Sequence, residues 1–172
     1  MNYKSKLHRI KAFVFDFDGV MTDGSVWTLA NDETVRYGNV KDGYAIQYAV
    51  KKDYVVACLS GATSQSIANR MKALGVEQCY MGCANKMETY VQFLKKNGLE
   101  EEDVLVMGDD IPDYEVLQHC GVATCPADAA HEIKEIVDYI SFFEGGRGCV
   151  RDVIEQTLRL QQMWFHPDAV NW

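Results

Sequence analysis

The feature that most constrains the fold is a regular alternation of short apolar runs with amphipathic segments of about ten residues. The apolar runs are rich in β-branched and aromatic residues, which is typical of buried strands, and the segments between them place apolar residues on one helical face. The predicted strands are 12–17, 54–59, 78–81, 104–107 and 122–125, followed by an apolar segment at 139–143. The predicted helices are 42–52 with Asp42 as the N-cap, 64–74, 86–97, 113–120, 129–137 and 149–162.

Strands that alternate with helices are connected by right-handed crossovers, which make neighbouring strands parallel. The predicted fold class is therefore α/β, a doubly wound and mainly parallel sheet with helices on both faces. One segment departs from the alternation: 25–29 and 34–40 have strand-like compositions and a polar turn between them, which predicts a small β-hairpin inserted after the first strand. We expect one domain over 1–172, with the hairpin at about 25–40 and a C-terminal tail at about 163–172.

The charge balance limits the choice of partners. Seventeen Lys and Arg against 25 Asp and Glu give a net charge of −8, so attraction to a phosphate backbone cannot drive binding, and nucleic acid is a poor candidate. No apolar stretch approaches the roughly 20 residues of a membrane span, so no membrane partner is expected. A small anionic substrate would be repelled unless its site carries a cation.

The six cysteines are irregularly spaced and form no CxxC pair. We interpret them as reduced thiols of a cytoplasmic protein, with zinc ligands or disulfides as the alternative. The aromatic residues of the tail, Trp164, Phe165 and Trp172, lie beyond the last predicted helix. They would expose apolar surface unless they dock on their own domain or on another subunit.

Polar side chains cluster where the predicted strands end, and ligands of open α/β sheets bind at the carboxyl ends of the strands. These residues follow the first, second and fourth strands or begin a helix: Asp16 and Asp18; Ser60 and Gly61; Asp109, Asp110 and Asp113; and Lys86. Clustered carboxylates repel one another, so a cation is expected among them, and ligands that are all oxygen favour Mg²⁺.

This set of residues predicts phosphoryl chemistry. Ser60 and Lys86 can hold a phosphate, and Gly61 allows backbone amides to approach it. Asp16 can attack phosphorus as a carboxylate, while Asp18 can protonate the leaving alkoxide and later activate water. Each residue also has a plainer interpretation taken alone, because an Asp after a strand is usually a turn former or a helix cap and a Lys at a helix start is usually solvated. Asp113 in particular can cap its helix or hold Lys86 and metal-bound water.

The motifs at the strand ends occur in a specific order: 15–20, then Ser60-Gly61, then Lys86, then 108–113. In this order they resemble the haloacid dehalogenase superfamily of phosphohydrolases. Segments 18–24, 39–43 and 145–152 further resemble its small capless members, which hydrolyse 3-deoxy-D-manno-octulosonate 8-phosphate or the related nine-carbon sugar-acid 9-phosphate. The intervals between the motifs leave room for a hairpin and single helices but not for a cap domain.

The resemblance implies a Mg²⁺-dependent phosphatase that acts on a sugar-acid phosphate in the cytoplasmic synthesis of a lipopolysaccharide sugar. Asp16 would be the nucleophile and form an aspartyl-phosphate, and Asp18 would be the acid–base. The Asp16 side chain, the Asp18 backbone carbonyl and the Asp109 side chain would bind Mg²⁺, with Asp110 and Asp113 in support. Ser60, Gly61 and Lys86 would hold the phosphoryl group. A capless site is open to water, and in the resembled enzymes a homotetramer formed around the hairpins completes it.

Three cations are candidates for the substrate's carboxylate: Lys41, Arg70 and Arg151, of which the two arginines offer a planar guanidinium. Each can instead be a surface charge. The resembled subgroup often carries Arg or Glu directly after the second-motif glycine, where this chain has Ala62, so the choice between the eight-carbon and the nine-carbon acid stays open.

Two other classes of protein are alternatives to a phosphatase. A phospho-acceptor receiver domain also combines clustered Asp, a hydroxyl, a Lys and Mg²⁺, but its phosphorylated Asp lies on a middle strand and its Lys near the end. Here Asp16 and Asp18 come first and Lys86 precedes Asp109, so the motif order argues against a receiver. The other alternative is a non-catalytic scaffold that assembles through the hairpin and the tail.

Overall fold

The computed structural model describes residues 2–171, and its centre is a six-stranded parallel sheet. The sheet has the order β5-β4-β1-β6-β7-β8, and β2 pairs with β3 as a separate antiparallel hairpin. The strands are β1 (Ala12–Phe15), β2 (Trp27–Thr28), β3 (Thr34–Val35), β4 (Val55–Ser60), β5 (Gln78–Met81), β6 (Val104–Met107), β7 (Val122–Cys125) and β8 (Tyr139–Ile140).

Helices cover both faces of the sheet, which confirms the predicted fold class. They are α1 (Tyr3–Lys6), α2 (Val40–Lys51), α3 (Gln65–Ala73), α4 (Lys86–Asn97), α5 (Tyr114–Gln118), α6 (His131–Lys134) and α7 (Cys149–Leu160). Alternate residues of β1 face opposite ways. Phe13 and Phe15 belong to an apolar cluster with α2, α3 and α7, whereas Ala12 and Val14 belong to one with α4, α5 and α6. Between β1 and β4 the described chain holds only the hairpin and α2, with no cap domain.

The N-cap predicted at Asp42 is wrong, because Asn39 caps α2: its side chain accepts a hydrogen bond from the Lys41 amide. Asp42 lies on the buried face of α2 and is 1% exposed. Its Oδ1 accepts a 2.7 Å hydrogen bond from the amide of Arg151 in the first turn of α7. The N-cap of α7 is Gly148, which has no side chain that could accept a hydrogen bond from the first turn. Asp42, on the neighbouring helix α2, accepts one instead. Burial raises the pKa of Asp42 to about 6.

Several predicted elements are shorter in the structure. The hairpin strands have only two residues each, and all four of these residues are exposed. The helix predicted over 113–120 begins as a 3₁₀ turn at Ile111–Asp113, with Pro112 near its start, and continues as α5. Only four residues of the helix predicted over 129–137 are helical, and the segment 139–143 supplies the short edge strand β8. Helix α1 and the 3₁₀ turns Leu7–Arg9, Glu101–Asp103 and Pro167–Val170 were not predicted.

The tail docks on its own domain. The ring of Trp164 packs edge-on against Tyr44 and Tyr48, with centroids 6.3 and 5.3 Å apart, and the guanidinium of Arg151 lies over it at 5.4 Å. Phe165 remains 76% exposed, and Trp172 lies outside the described residues. All six cysteines fall within the described part of the chain and are free. No described helix is both long and apolar enough to cross a membrane.

Candidate active site

The carboxyl ends of β1, β4 and β6 surround a cavity of about 410 Å³, which we call the carboxyl-edge cavity. The register explains why they meet, since Phe15 of β1 lies level with Cys58 of β4 and Met107 of β6. The segments that follow these three strands therefore leave the sheet at nearly the same level along the strand direction. The lining residues are Asp16, Asp18, Ser60, Gly61, Ala62, Cys83, Ala84, Lys86, Asp109, Asp110, Pro112 and Asp113.

An ion-paired triad lies in this cavity. Lys86, the first residue of α4, places its Nζ 2.6 Å from Oδ1 of Asp16 and 2.6 Å from Oδ1 of Asp113. All three side chains are less than 10% exposed. The other oxygen of Asp113 accepts a 3.2 Å hydrogen bond from the amide of Asp109, so Asp113 connects the lysine to the loop after β6.

The carboxylates outnumber the cations in this cavity. Burial, reinforced by Asp113, raises the pKa of Asp16 to about 7 although Lys86 opposes the change. Burial and the neighbouring carboxylates raise the pKa of Asp109 to about 8. Burial lowers the pKa of Lys86, but Asp16 and Asp113 outweigh that effect and raise it above its ordinary value. One ammonium therefore cannot neutralise this cluster, which leaves unbalanced negative charge.

This excess charge fits a divalent cation. Asp16, Asp109 and Asp113 each offer one carboxylate oxygen, and these three oxygens lie within 4.8 Å of one another. A donor set made only of oxygen suits Mg²⁺ better than zinc or copper. Asp113 uses both of its carboxylate oxygens, one for Lys86 and one for the Asp109 amide, whereas Asp16 contacts Lys86 through Oδ1 alone. Asp16 and Asp109 therefore have more capacity than Asp113 to coordinate a metal directly.

Gly19 allows Asp109 to approach the loop after β1. Its φ of +91° lies in the left-handed region, and a Cβ built on it would stand 2.0 Å from Oδ2 of Asp109. Ser60 is buried at the end of β4, where its Oγ accepts a 3.2 Å hydrogen bond from the amide of Ala62. Its hydroxyl proton is still available for a bound anion.

The raised pKa values predict that the metal-free protein loses stability as the pH rises. The folded-state values of about 7 and about 8 lie above the ordinary 3.8, so the folded protein binds protons more tightly than the unfolded chain between these limits. In a chelator, the free energy of unfolding should fall by at least about 2 kcal/mol from about pH 5 to about pH 8. Mg²⁺ should remove most of this loss. Urea denaturation with and without Mg²⁺ measures it, and a pH-independent stability in chelator would contradict the prediction.

Arg36 is a residue of this site that the sequence analysis missed. Its Nε lies 2.5 Å from Oδ1 of Asp18, and its side chain is 12% exposed. Arg36 follows β3, so the hairpin contacts Asp18, a residue that lines the carboxyl-edge cavity of the same chain. The sequence signal is weak, since it consists of one cation at the end of a strand whose position above the sheet no periodicity specifies.

The three cations expected at the substrate's carboxylate do not line this cavity. Lys41 and Arg151 line a separate groove beside α7, of about 650 Å³, where Arg151 pairs with Glu155 at 3.0 Å. Arg70 packs against α2, because a Cβ added at Gly43 would lie 2.5 Å from its Nη2. Their contact with substrate stays a prediction, and within one chain it would need a different placement of these side chains.

Comparison with known proteins agrees with this geometry. Residues 82–144 match the family model of haloacid dehalogenase-like hydrolases. The chain is 33% identical over 157 residues to the 3-deoxy-D-manno-octulosonate 8-phosphate phosphatase of Escherichia coli. The aligned region covers 91% of this chain and 84% of that protein.

Two solved structures are similar along nearly the whole chain. The enzyme of the same name from Yersinia pestis superposes with a TM-score of 0.92 at 30% identity, over 94% of this chain and 88% of the other. The Moraxella catarrhalis enzyme, solved with a magnesium ion, a phosphate ion and a 3-deoxy-D-manno-octulosonate molecule, gives 0.90 at 28% identity, over 93% and 92%.

Proposed function

Since this chain belongs to the haloacid dehalogenase-like hydrolases, with 3-deoxy-D-manno-octulosonate 8-phosphate phosphatases as its relatives, we propose that it hydrolyses 3-deoxy-D-manno-octulosonate 8-phosphate to the sugar acid and inorganic phosphate. The observation that carries the proposal is the buried Asp16–Lys86–Asp113 triad beside Asp109, at the carboxyl edge of the sheet. It provides a nucleophile, a fixed cation and a divalent-metal site within one cavity.

The reaction we propose has two displacements. A carboxylate oxygen of Asp16 attacks phosphorus, the bond between phosphorus and the sugar oxygen breaks, and Asp18 gives its proton to that oxygen. Asp18 then takes a proton from water as the water attacks the aspartyl-phosphate, which releases inorganic phosphate and restores the Asp16 carboxylate. Lys86 keeps the attacking carboxylate in place and offers positive charge to the phosphoryl oxygens, while Ser60 and the amides near Gly61 donate hydrogen bonds to them.

The residues present fit Mg²⁺. The side chains of Asp16 and Asp109 and the backbone carbonyl of Asp18 would hold it, with Asp110 and Asp113 beside them. When bound, Mg²⁺ supplies the positive charge that offsets the phosphoryl oxygens and the clustered carboxylates. This answers the difficulty that the net charge of −8 poses for an anionic substrate.

Steady-state phosphate release tests the proposal. The panel comprises 3-deoxy-D-manno-octulosonate 8-phosphate, the nine-carbon sugar-acid 9-phosphate, an aldose phosphate and p-nitrophenyl phosphate, each with Mg²⁺ or a chelator. We expect multiple turnovers and the highest kcat/KM for the eight-carbon acid. A preference for the nine-carbon acid would change the substrate, a change that the small Ala62 side chain in the cavity leaves open. A single stable phosphorylation without turnover would support a receiver instead.

We also propose a homotetramer in the cytoplasm. Six large apolar side chains on or beside the hairpin are more than 40% exposed in one chain, and a second copy can cover them. They are Val26, Trp27, Leu29, Val35, Tyr37 and Val40. Sedimentation should give a tetramer, and Trp27→Glu with Tyr37→Glu should shift it to smaller species. The matched change Phe165→Glu in the exposed tail should not, and a monomeric wild type would contradict the assembly. The six free thiols support the cytoplasmic location.

A further inference from the structure

The hairpin is exposed along nearly its whole length. From residue 24 to residue 38 every residue is exposed except Arg36. Its neighbours Val35 and Tyr37 are 42% and 61% exposed, whereas the Arg36 side chain is 12% exposed. The guanidinium of Arg36 is thus directed at Asp18, which lines the carboxyl-edge cavity, rather than at solvent.

The contact of Arg36 with Asp18 is specific. Nε lies 2.5 Å from Oδ1 of Asp18, while Nη1 donates a 2.9 Å hydrogen bond to Oγ1 of Thr34 on the same hairpin. The Thr34 contact fixes the guanidinium from the hairpin side. Within residues 2–171, Arg36 is the only side-chain partner of Asp18 among the hydrogen bonds and ion pairs. Asp18 is itself 32% exposed and followed by Gly19, so nothing else holds its carboxyl group in one orientation.

We propose that Arg36 is a positioning residue that holds the carboxyl group of Asp18 towards the leaving oxygen, so that proton transfer depends on the placement of the hairpin. The inference rests on the proposed function, in which Asp18 is the acid–base. A misplacement of about 1 Å in a catalytic group can cost about 100-fold in rate, which makes a single fixed partner important. The hairpin would then contribute to catalysis within its own chain, in addition to any part in assembly.

Substrates with different leaving groups distinguish a positioning role of Arg36 from a structural one. A sugar alkoxide must be protonated as it departs, whereas p-nitrophenolate departs as a stable anion and gains little from a general acid. The ratio kcat/KM reports the steps up to departure of the leaving group, so it isolates the first use of Asp18. Damage to the fold, the metal site or the assembly lowers kcat/KM for both substrates together.

The test measures kcat/KM of Arg36→Ala with the sugar-acid phosphate and with p-nitrophenyl phosphate. We expect a loss of about 10-fold to 100-fold for the first substrate, part of the ~10²–10⁴ that a positioned acid–base contributes, and less than about 3-fold for the second. Arg36→Lys, which keeps a positively charged donor group but not the planar guanidinium, should recover part of the loss. The control Arg9→Ala removes a guanidinium paired with Asp103 at 3.2 Å outside the cavity and should change neither value.

A double-mutant cycle completes the test. In an Asp18→Asn background, Arg36→Ala should cause no further loss with the sugar-acid phosphate, because the group that it positions is gone. Equal losses with both substrates, no loss with either, or full additivity with Asp18→Asn would overturn the positioning role while leaving the proposed function intact. A wild-type chain that hydrolyses neither substrate would instead overturn the proposed function, and this inference with it.

Discussion

Replacing Asp16 with Asn is expected to abolish turnover in a protein that still folds. The amide has nearly the same shape as the carboxylate but cannot displace an alkoxide from phosphorus, so kcat should fall by about 10⁴-fold or more. Stability should not fall with it. Asp16 is buried and its pKa is raised to about 7 by burial and by Asp113, so a neutral side chain relieves repulsion in the metal-free protein. Lys86 keeps its second partner, Asp113, at 2.6 Å.

Three measurements separate loss of the nucleophile from loss of structure. Phosphate release gives kcat. Urea denaturation in chelator at about pH 8 should give a free energy of unfolding no lower than that of the wild type. Titration calorimetry should show weaker Mg²⁺ binding by the variant. Acid quenching during turnover should trap a phosphorylated wild-type chain but no phosphorylated variant. The control Asp53→Asn makes the same chemical change on an exposed turn and should leave kcat unchanged. Retained hydrolysis by Asp16→Asn would mean that another group attacks phosphorus.

Local pattern predicted much of the fold because several elements have clear ends. The strands β5, β6 and β7 and helix α4 have the predicted bounds. Helix α4 begins after the Asn85 cap and ends at Gly98, whose φ of +62° stops it. Elements whose ends depend on distant partners were less predictable. Asp42 is a residue type that often caps its own helix, but here it caps α7, more than 100 residues away in the sequence. The reason is that its side chain lies on the buried face of α2.

The same distinction applies to the site. Asp16, Ser60 and Asp109 lie at or just after the ends of strands that are neighbours in a parallel sheet, so topology alone brings them together. Arg36 depends on how an exposed hairpin lies over that sheet, and no apolar periodicity encodes this, since almost all of its neighbours are exposed. For Lys41 and Arg151, the preference of an ammonium or guanidinium for carboxylates predicts what these side chains can bind but not where they lie in the fold. The structure places both beside α7.

Replacing Lys86 with Met should lower both catalysis and stability, and the loss of stability should depend on pH. The side chain is similar in length but carries no charge, so kcat should fall by about 10²–10³-fold, as it does when one preorganised donor to a transition-state charge is removed. Asp16 and Asp113 would then face each other with side chains only 9% and 7% exposed and no cation between them. Breaking a buried ion pair in this way costs about 3–5 kcal/mol when the charge left behind stays ionised.

Protonation of a carboxyl group limits the stability loss of Lys86→Met, and this determines how the loss changes with pH. Without Lys86 the pKa of Asp16 must rise further, because Lys86 opposes the increase that burial and Asp113 cause. The folded variant therefore binds protons more tightly than wild type, so its stability deficit should be small near pH 5 and grow towards about pH 8. Urea denaturation in chelator at both pH values measures it. Lys95→Met, on the exposed side of the same helix, should stay within about 0.5 kcal/mol of wild type. An equal deficit at both pH values with near-normal kcat would contradict both roles of Lys86. A deficit that grows with pH would identify Lys86 as the cation that stabilises two buried carboxylates side by side.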